Sequence, residues 1–465
     1  MAQESTYLKS ETDLRDKLDE LYAEAKKAIE SREPPRFKNL LEIAKDEVTI
    51  VTAIHKIKAH HGSETAGNDG QTIRDVLQSQ YPEIIRLVRE MLDDYRPALL
   101  RRVWIPKPGK DEKRPLGIPA IVDRVVQEVL RMVIEPIMEA QFFKHSYGFR
   151  PMRDAHMALE RVKYICHNTG YHWIIEGDIK GCFDNINHTR LIKQLWHMGV
   201  RDRRMLMIVK KMLKAGVMNE IETTEAGTPQ GGIISPLLAN VYLHKLDQWI
   251  VREWENKRTR QQYARKDNQI RALCKTKLKP AYLVRYADDW VLITNTKANA
   301  EKWKRRIQKY LGVRLKLTLN EEKTLITNAR KKPIHFLGHE MKLVRHGKSR
   351  TGWKTQTRPD QKRLVNKVRE IRQRLKALRR YDGKELIHQI NVVNSAIVGI
   401  GNYYRTATMV NPDLNKYADS LLITANNALK RKGAKWTPAK DVHNLPARHK
   451  GLRWTPLSRH FFGPF

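Results

Sequence analysis

Two adjacent carboxylates, Asp288 and Asp289, stand between two short apolar runs rich in β-forming residues, in Leu283-Val-Arg-Tyr-Ala-Asp-Asp-Trp-Val-Leu-Ile293. The pattern predicts a hairpin with both acids at its tip. Like charges side by side repel, and a chain that sets them between two buried strands prepares a cation site. The other informative stretches make sense as supports for that turn.

A further acid has a similar setting. In Trp173-Ile-Ile-Glu-Gly-Asp178 the apolar residues predict a buried strand, and Asp178 falls at its far end, where it either faces a cleft or caps a following helix. Between the acids lies Ala226-Gly-Thr-Pro-Gln230-Gly-Gly-Ile-Ile-Ser235, whose glycines let backbone approach a ligand closely. The apolar segment from Ile233 to Leu246 supplies a helix beneath it. Upstream, Arg101 to Pro119 reads as two short strands around a loop. That loop carries Lys107, Lys110, Lys113 and Arg114, set either to fold over a triphosphate or to remain a solvated basic turn.

Charge narrows the partner. Lys and Arg number 88 against 51 Asp and Glu, a formal net charge of +37 spread through most of the chain. Such a field attracts a polyanion, and the interleaved Trp, Tyr and Arg favour nucleic acid over a membrane surface. The three cysteines, Cys166, Cys182 and Cys274, are too scattered for a disulfide framework or a four-ligand zinc site. No apolar run reaches the ~18 residues of a membrane span, and the N-terminus has no signal-like core. A cytoplasmic location is expected, with an organelle as the alternative.

The order of these elements resembles the reverse transcriptases encoded by group II introns, which also act as maturases for their intron RNA. The resemblance runs from about His61 to about Arg405 and rests on Gly227-Thr-Pro-Gln-Gly-Gly-Ile-Ile-Ser-Pro-Leu-Leu-Ala-Asn240 and Tyr286-Ala-Asp-Asp289. It implies an α+β, right-hand polymerase fold. An antiparallel palm sheet would carry Asp178, Asp288 and Asp289 as metal-binding carboxylates for two Mg²⁺ ions, with Mn²⁺ as a possible substitute. Phe183 would lie under the sugar and disfavour a 2′-hydroxyl. Gln230 would sit near the incoming nucleotide, and Lys107, Arg114 and Arg101 would contact its triphosphate. Lys323 would assist the departing pyrophosphate unless it is simply solvated, and Leu337 and Gly338 resemble the primer-contacting turn. The implied partners are group II intron RNA, a DNA target or primer, and dNTPs.

The remaining segments give the expected division. Residues 1–90 form a helical extension with a glycine-rich loop, and Thr12–Ser31 and Leu40–Lys58 have helical spacing. Residues 91–345 form fingers and palm, with a helix from Asp123 that ends near Pro136. The basic stretch from Arg252 to Lys279 is either an RNA-gripping insertion or a solvated loop. Residues 350–432 form a helical thumb. There Leu364, Val368, Ile371, Leu375 and Leu378 share one face while Arg363, Lys367, Arg372, Arg374, Lys376 and Arg379 crowd the rest. In Gly399-Ile-Gly-Asn-Tyr-Tyr-Arg405, Ile400 replaces the family's Trp. The tail, 433–465, carries no cysteine pairs, so no endonuclease activity of the HNH kind is expected. The expected function is copying intron RNA and assisting its splicing. The alternatives are a splicing-only maturase and a host-adapted reverse transcriptase.

Overall fold

A computed structural model describes residues 8–60, 62–106, 113–215, 227 and 231–432, without the side chains of Arg114 and Arg431. Lys107, Gln230 and the 433–465 tail therefore lie outside the described residues. Nine strands are described: β1 (Arg101–Pro106), β2 (Lys113–Ile118), β3 (Trp173–Gly177), β4 (Tyr282–Tyr286), β5 (Asp289–Thr294), β6 (Leu325–Asn328), β7 (Ile334–Phe336), β8 (His339–Arg345) and β9 (Trp353–Pro359). They form an antiparallel β1-β2 hairpin, a sheet of order β4-β5-β3-β6 in which β3 and β6 are antiparallel, and an antiparallel β7-β8-β9 sheet. Among the described residues no helix is long and apolar enough to cross a membrane.

Contacts divide the chain into two units, the first comprising 1–158, 177–290 and 301–324, the second the remainder. The first is built around the helix Ile121–Glu139, which is buried along most of its length. The helices Glu11–Glu30 and Glu47–Ala59 pack against it. Burial of its charged residues is met by partners: Glu128 pairs with Arg131, and Asp123 accepts from Tyr95 Oη at 2.7 Å and from the Ala98 amide at 3.1 Å. Two expected boundaries change. The helix runs through Pro136 to Glu139, because a proline forfeits one backbone hydrogen bond while buried Ile137 and Met138 hold the last turn in place. The Leu40–Lys58 segment is two helices, Leu40–Lys45 and Glu47–Ala59, broken where Asp46 turns extended and caps the second by accepting from the Val48 amide. The glycine-rich loop has a structural task. A Cβ on Gly67 would fall 2.6 Å from Ala120 Cα, so only bare backbone fits there. The Arg252–Lys279 stretch includes a helix, Lys266–Cys274.

In the second unit the helices Gln361–Ala377, Gly383–Tyr404 and Val410–Leu429 share a core that includes Leu364, Val368, Ile371, Leu375 and Leu378, as their spacing predicts. Ile400 belongs to this core, so the absence of a tryptophan there leaves the face covered. Arg363, Lys367, Arg374, Lys376 and Arg379 are exposed, and Arg372 is half-buried and donates to Ser420 Oγ. The β9 strand joins this cluster through Arg358 Nη2, which donates to buried Asp413 at 2.6 Å. Leu375→Ala, at a fully buried position, should cost about 2–4 kcal/mol. Chemical denaturation followed by circular dichroism measures this as a lower midpoint.

Candidate active site

The paired acids sit on a turn that the sequence shapes tightly. β4 ends at Tyr286, Ala287 and Asp288 form the turn, and Asp289 already belongs to β5. The expectation of both acids at the tip is corrected in this respect: one is in the turn and the other opens the returning strand. Ala287 has φ +57°, a left-handed conformation that costs a non-glycine residue about 1 kcal/mol. What holds it is Arg285. This fully buried side chain donates to both oxygens of equally buried Asp247 at 2.8 and 2.6 Å, to Asn240 Oδ1 at 2.9 Å and to the Ala287 carbonyl at 2.8 Å. Burial pushes the Asp247 carboxyl above its usual range, and the Arg285 guanidinium opposes that shift. Asn240 in turn donates to the Gly148 carbonyl at 2.8 Å.

Two glycines permit close approach, one of backbone to backbone and one of backbone to an aromatic ring. A Cβ on Gly148 would lie 2.4 Å from the Ala287 amide nitrogen, and one on Gly177 would lie 2.1 Å from the Trp290 ring. Gly177 immediately precedes Asp178, and Trp290 immediately follows Asp289. The two acid-bearing chain segments are thereby laid side by side.

Asp178 caps no helix. Its Oδ2 accepts from Asn320 Nδ2 and from Lys323 Nζ, each at 2.9 Å, and the Asn320 amide donates to its carbonyl at 2.9 Å. Lys323 is therefore ion-paired instead of merely solvated, although its side chain is 57% exposed and that of Asp178 27%. Burial pushes the Cys182 thiol up to about 12, with Asp288, Asp184 and Asp178 adding to the rise and Arg285 opposing it. Phe183 opens the short 3₁₀ turn Phe183–Asn185 and meets Phe149 edge to face, ring centroids 6.4 Å apart.

The glycine-rich loop is placed at both ends. The Gly227 amide donates to the Ile186 carbonyl at 2.9 Å, and a Cβ on it would press on the Asp184 carbonyl. A Cβ on Gly231 would fall 2.7 Å from the Gly117 carbonyl in β2, and the Ile233 amide donates to Gln127 Oε1 at 2.8 Å. In the β1-β2 hairpin Arg101 pairs in register with Ile118 and Arg114 with Ile105. Arg101 Nε is buried without a hydrogen-bond partner among the described residues. Leu337 and Gly338 belong to the second unit, where they form the two-residue β7-β8 turn with φ +48° and +69°. Tyr403 Oη donates to the Leu337 carbonyl at 2.8 Å.

The structure thus gathers Asp178, Asp288, Asp289, Phe183 and Lys323 in one unit. It adds Asn320, Cys182, Gly148, Gly177 and the Arg285–Asp247–Asn240 network, none of which the sequence reading singled out for a role. One signal was available: an arginine in the middle of an apolar strand needs a buried partner, and Asp247 ends the apolar run of the helix Ser235–Glu253.

Residues 105–341 match the family model described as reverse transcriptase (RNA-dependent DNA polymerase). The chain is 32% identical over 425 residues to the group II intron-encoded protein LtrA of Lactococcus lactis, covering 79% of this chain and 70% of that protein. It is 36% identical over 332 residues to protein YkfC of Escherichia coli, covering 68% and 86%. To the putative COX1/OXI3 intron 1 protein of Saccharomyces cerevisiae it is 32% identical over 338 residues, covering 66% and 40%.

Asp247→Ala leaves the Arg285 charge buried and alone, and should destabilise the fold by about 3–5 kcal/mol, read from denaturation midpoints. Cys166 and Cys182 are buried and both pushed up to about 12, whereas Cys274 is exposed. Iodoacetamide at pH 8 should therefore modify Cys274 alone in the native protein and all three thiols after denaturation, as counted by mass spectrometry.

Proposed function

The chain belongs to the reverse transcriptase family encoded by group II introns, and on that premise we propose that it is an RNA-directed DNA polymerase that copies its intron RNA and also binds that RNA to assist splicing. The observation that carries the reading is the close packing of Gly177 against the Trp290 ring, which lays the Asp178 segment beside the Asp288–Asp289 turn, with the Lys323 ammonium already resting on Asp178. On this reading 1–90 is an extension, 91–345 fingers and palm, 350–432 the thumb, and 433–465 a basic tail. The exposed basic face of Gln361–Ala377 suits the phosphate backbone of a nucleic acid.

Divalent metal fits the residues present. Carboxylate oxygens are the hard donors that Mg²⁺ takes, and the Lys323 ammonium paired with Asp178 supports a site suited to positive charge. Two Mg²⁺ ions bound by Asp178 and Asp288, with Asp289 binding or positioning its neighbour, would activate the primer 3′-hydroxyl and stabilise the leaving pyrophosphate. The chain's own residues do the rest. Phe183 presents a ring where a 2′-hydroxyl would have to fit. Lys107, Arg114 and Arg101 offer cations to the triphosphate. Gln230 sits on the glycine-rich loop whose ends rest on the Asp184 turn and on β2. Lys323, exposed and paired with Asp178, would yield that carboxylate to a metal ion and would then offer its ammonium as an acid or a cation to the departing pyrophosphate. Leu337 and Gly338 hold the primer strand.

Primer extension on an RNA template with Mg²⁺ and dNTPs tests the reading. Asp288→Ala should lower extension at least about a hundredfold while leaving intron RNA binding intact. Equal inactivity of the unaltered protein and the variant, with tight RNA binding by both, would establish the splicing-only alternative. Lys323→Ala removes the competitor from Asp178. The Mg²⁺ concentration for half-maximal extension should fall, and the maximal rate should fall with it.

A further inference from the structure

Phe149 is an aromatic residue in an unusual position. Its φ is +58°, a left-handed conformation that bulky side chains rarely adopt, and its side chain is 52% exposed. The chain on either side of it is fixed. Gly148 is pressed against the Tyr286–Ala287 peptide, and its carbonyl accepts from Asn240. Buried Arg150 donates to the Phe143 and Ser146 carbonyls, each at 2.8 Å, and to Glu139. The Tyr147 amide donates to the Arg285 carbonyl at 2.8 Å, so this loop is tied to the strand that leads into the paired acids. A loop held so firmly, with a phenylalanine where asparagine or glycine would sit at less strain, marks the ring itself as the feature retained. That ring stands edge-on to Phe183, planes 82° apart.

We propose that Phe149 is a positioning residue for sugar discrimination. Its ring fixes the plane that Phe183 presents to the ribose, and so sets selectivity for deoxynucleotides over ribonucleotides. A half-buried aromatic ring keeps freedom about its last torsion, and an edge-to-face partner on a rigid loop restricts that freedom. The inference rests on Phe183 as the sugar screen.

The test compares single-nucleotide incorporation of a dNTP and the matching rNTP on an RNA template. The variants are Phe149→Asn and Phe149→Gly, both at ease with positive φ, with Phe149→Tyr and Phe183→Ala alongside. Thermal midpoints report whether the fold is kept. The expected result is a fall of about tenfold in the dNTP-over-rNTP ratio of kcat/KM for Phe149→Asn and Phe149→Gly, driven by faster rNTP use, with Phe149→Tyr within about twofold of the unaltered protein. A purely structural role would slow both nucleotides equally. An unchanged ratio in the Phe149 variants, with a lowered ratio in Phe183→Ala, overturns the proposal. A ratio unmoved by Phe183→Ala overturns the sugar-screen reading and the proposal with it.

Discussion

The buried pair of Arg285 and Asp247 is the contact on which the acid turn depends. Both side chains are fully buried, and taking two charges out of water costs more than an isolated ion pair returns. An apolar pair of similar volume would pack at less cost. It would also leave the Ala287 carbonyl and Asn240 Oδ1 without their donor, and an unmet buried acceptor costs about 1–3 kcal/mol. Arg285 reaches the helix Ser235–Glu253 through Asp247 and Asn240 and the acid turn through the Ala287 carbonyl. Its backbone adds the loop before Gly148, donating to the His145 carbonyl and accepting from Tyr147. The pair therefore fixes geometry, holding a left-handed alanine so that Asp288 leaves the turn in one direction.

Close approach at glycines supplies the second half of the geometry. Gly177 lies under the Trp290 indole, so the residue before one acid is covered by the residue after another. Any side chain at 177 would push the segments apart. The same logic recurs at Gly148 against Ala287 and at Gly231 against Gly117. Each contact joins elements distant in sequence, and together they bring the acids, the Phe183 turn and the ends of the glycine-rich loop into one neighbourhood.

Much of this was legible in the sequence because it is local. The β1-β2 hairpin, the strand before Asp178, the acid hairpin and the apolar face of Gln361–Ala377 all follow from periodicity and turn chemistry. What was not legible depends on contacts across the fold. That Pro136 would be carried inside a helix depends on the burial of Ile137 and Met138. That Leu40–Lys58 would break at Asp46 depends on a cap competing with a helical interior, which periodicity does not reveal. Lys323 looked solvated because nothing nearby in the sequence predicts Asp178 as its partner, 145 residues away.

That last pair explains how an acid cluster coexists with a chain built to attract polyanions. The net charge of +37 attracts polyanions, yet Asp178 and Asp288 taken alone would repel phosphate. Lys323 offsets part of that repulsion, and an exposed lysine is a replaceable counter-ion because its flexible stem releases it at little cost. A buried arginine in its place would hold Asp178 permanently. The two basic partners of this region thus differ in a physical way: Arg285 is buried and permanent and sets shape, whereas Lys323 is exposed and exchangeable, as the proposed cation site requires.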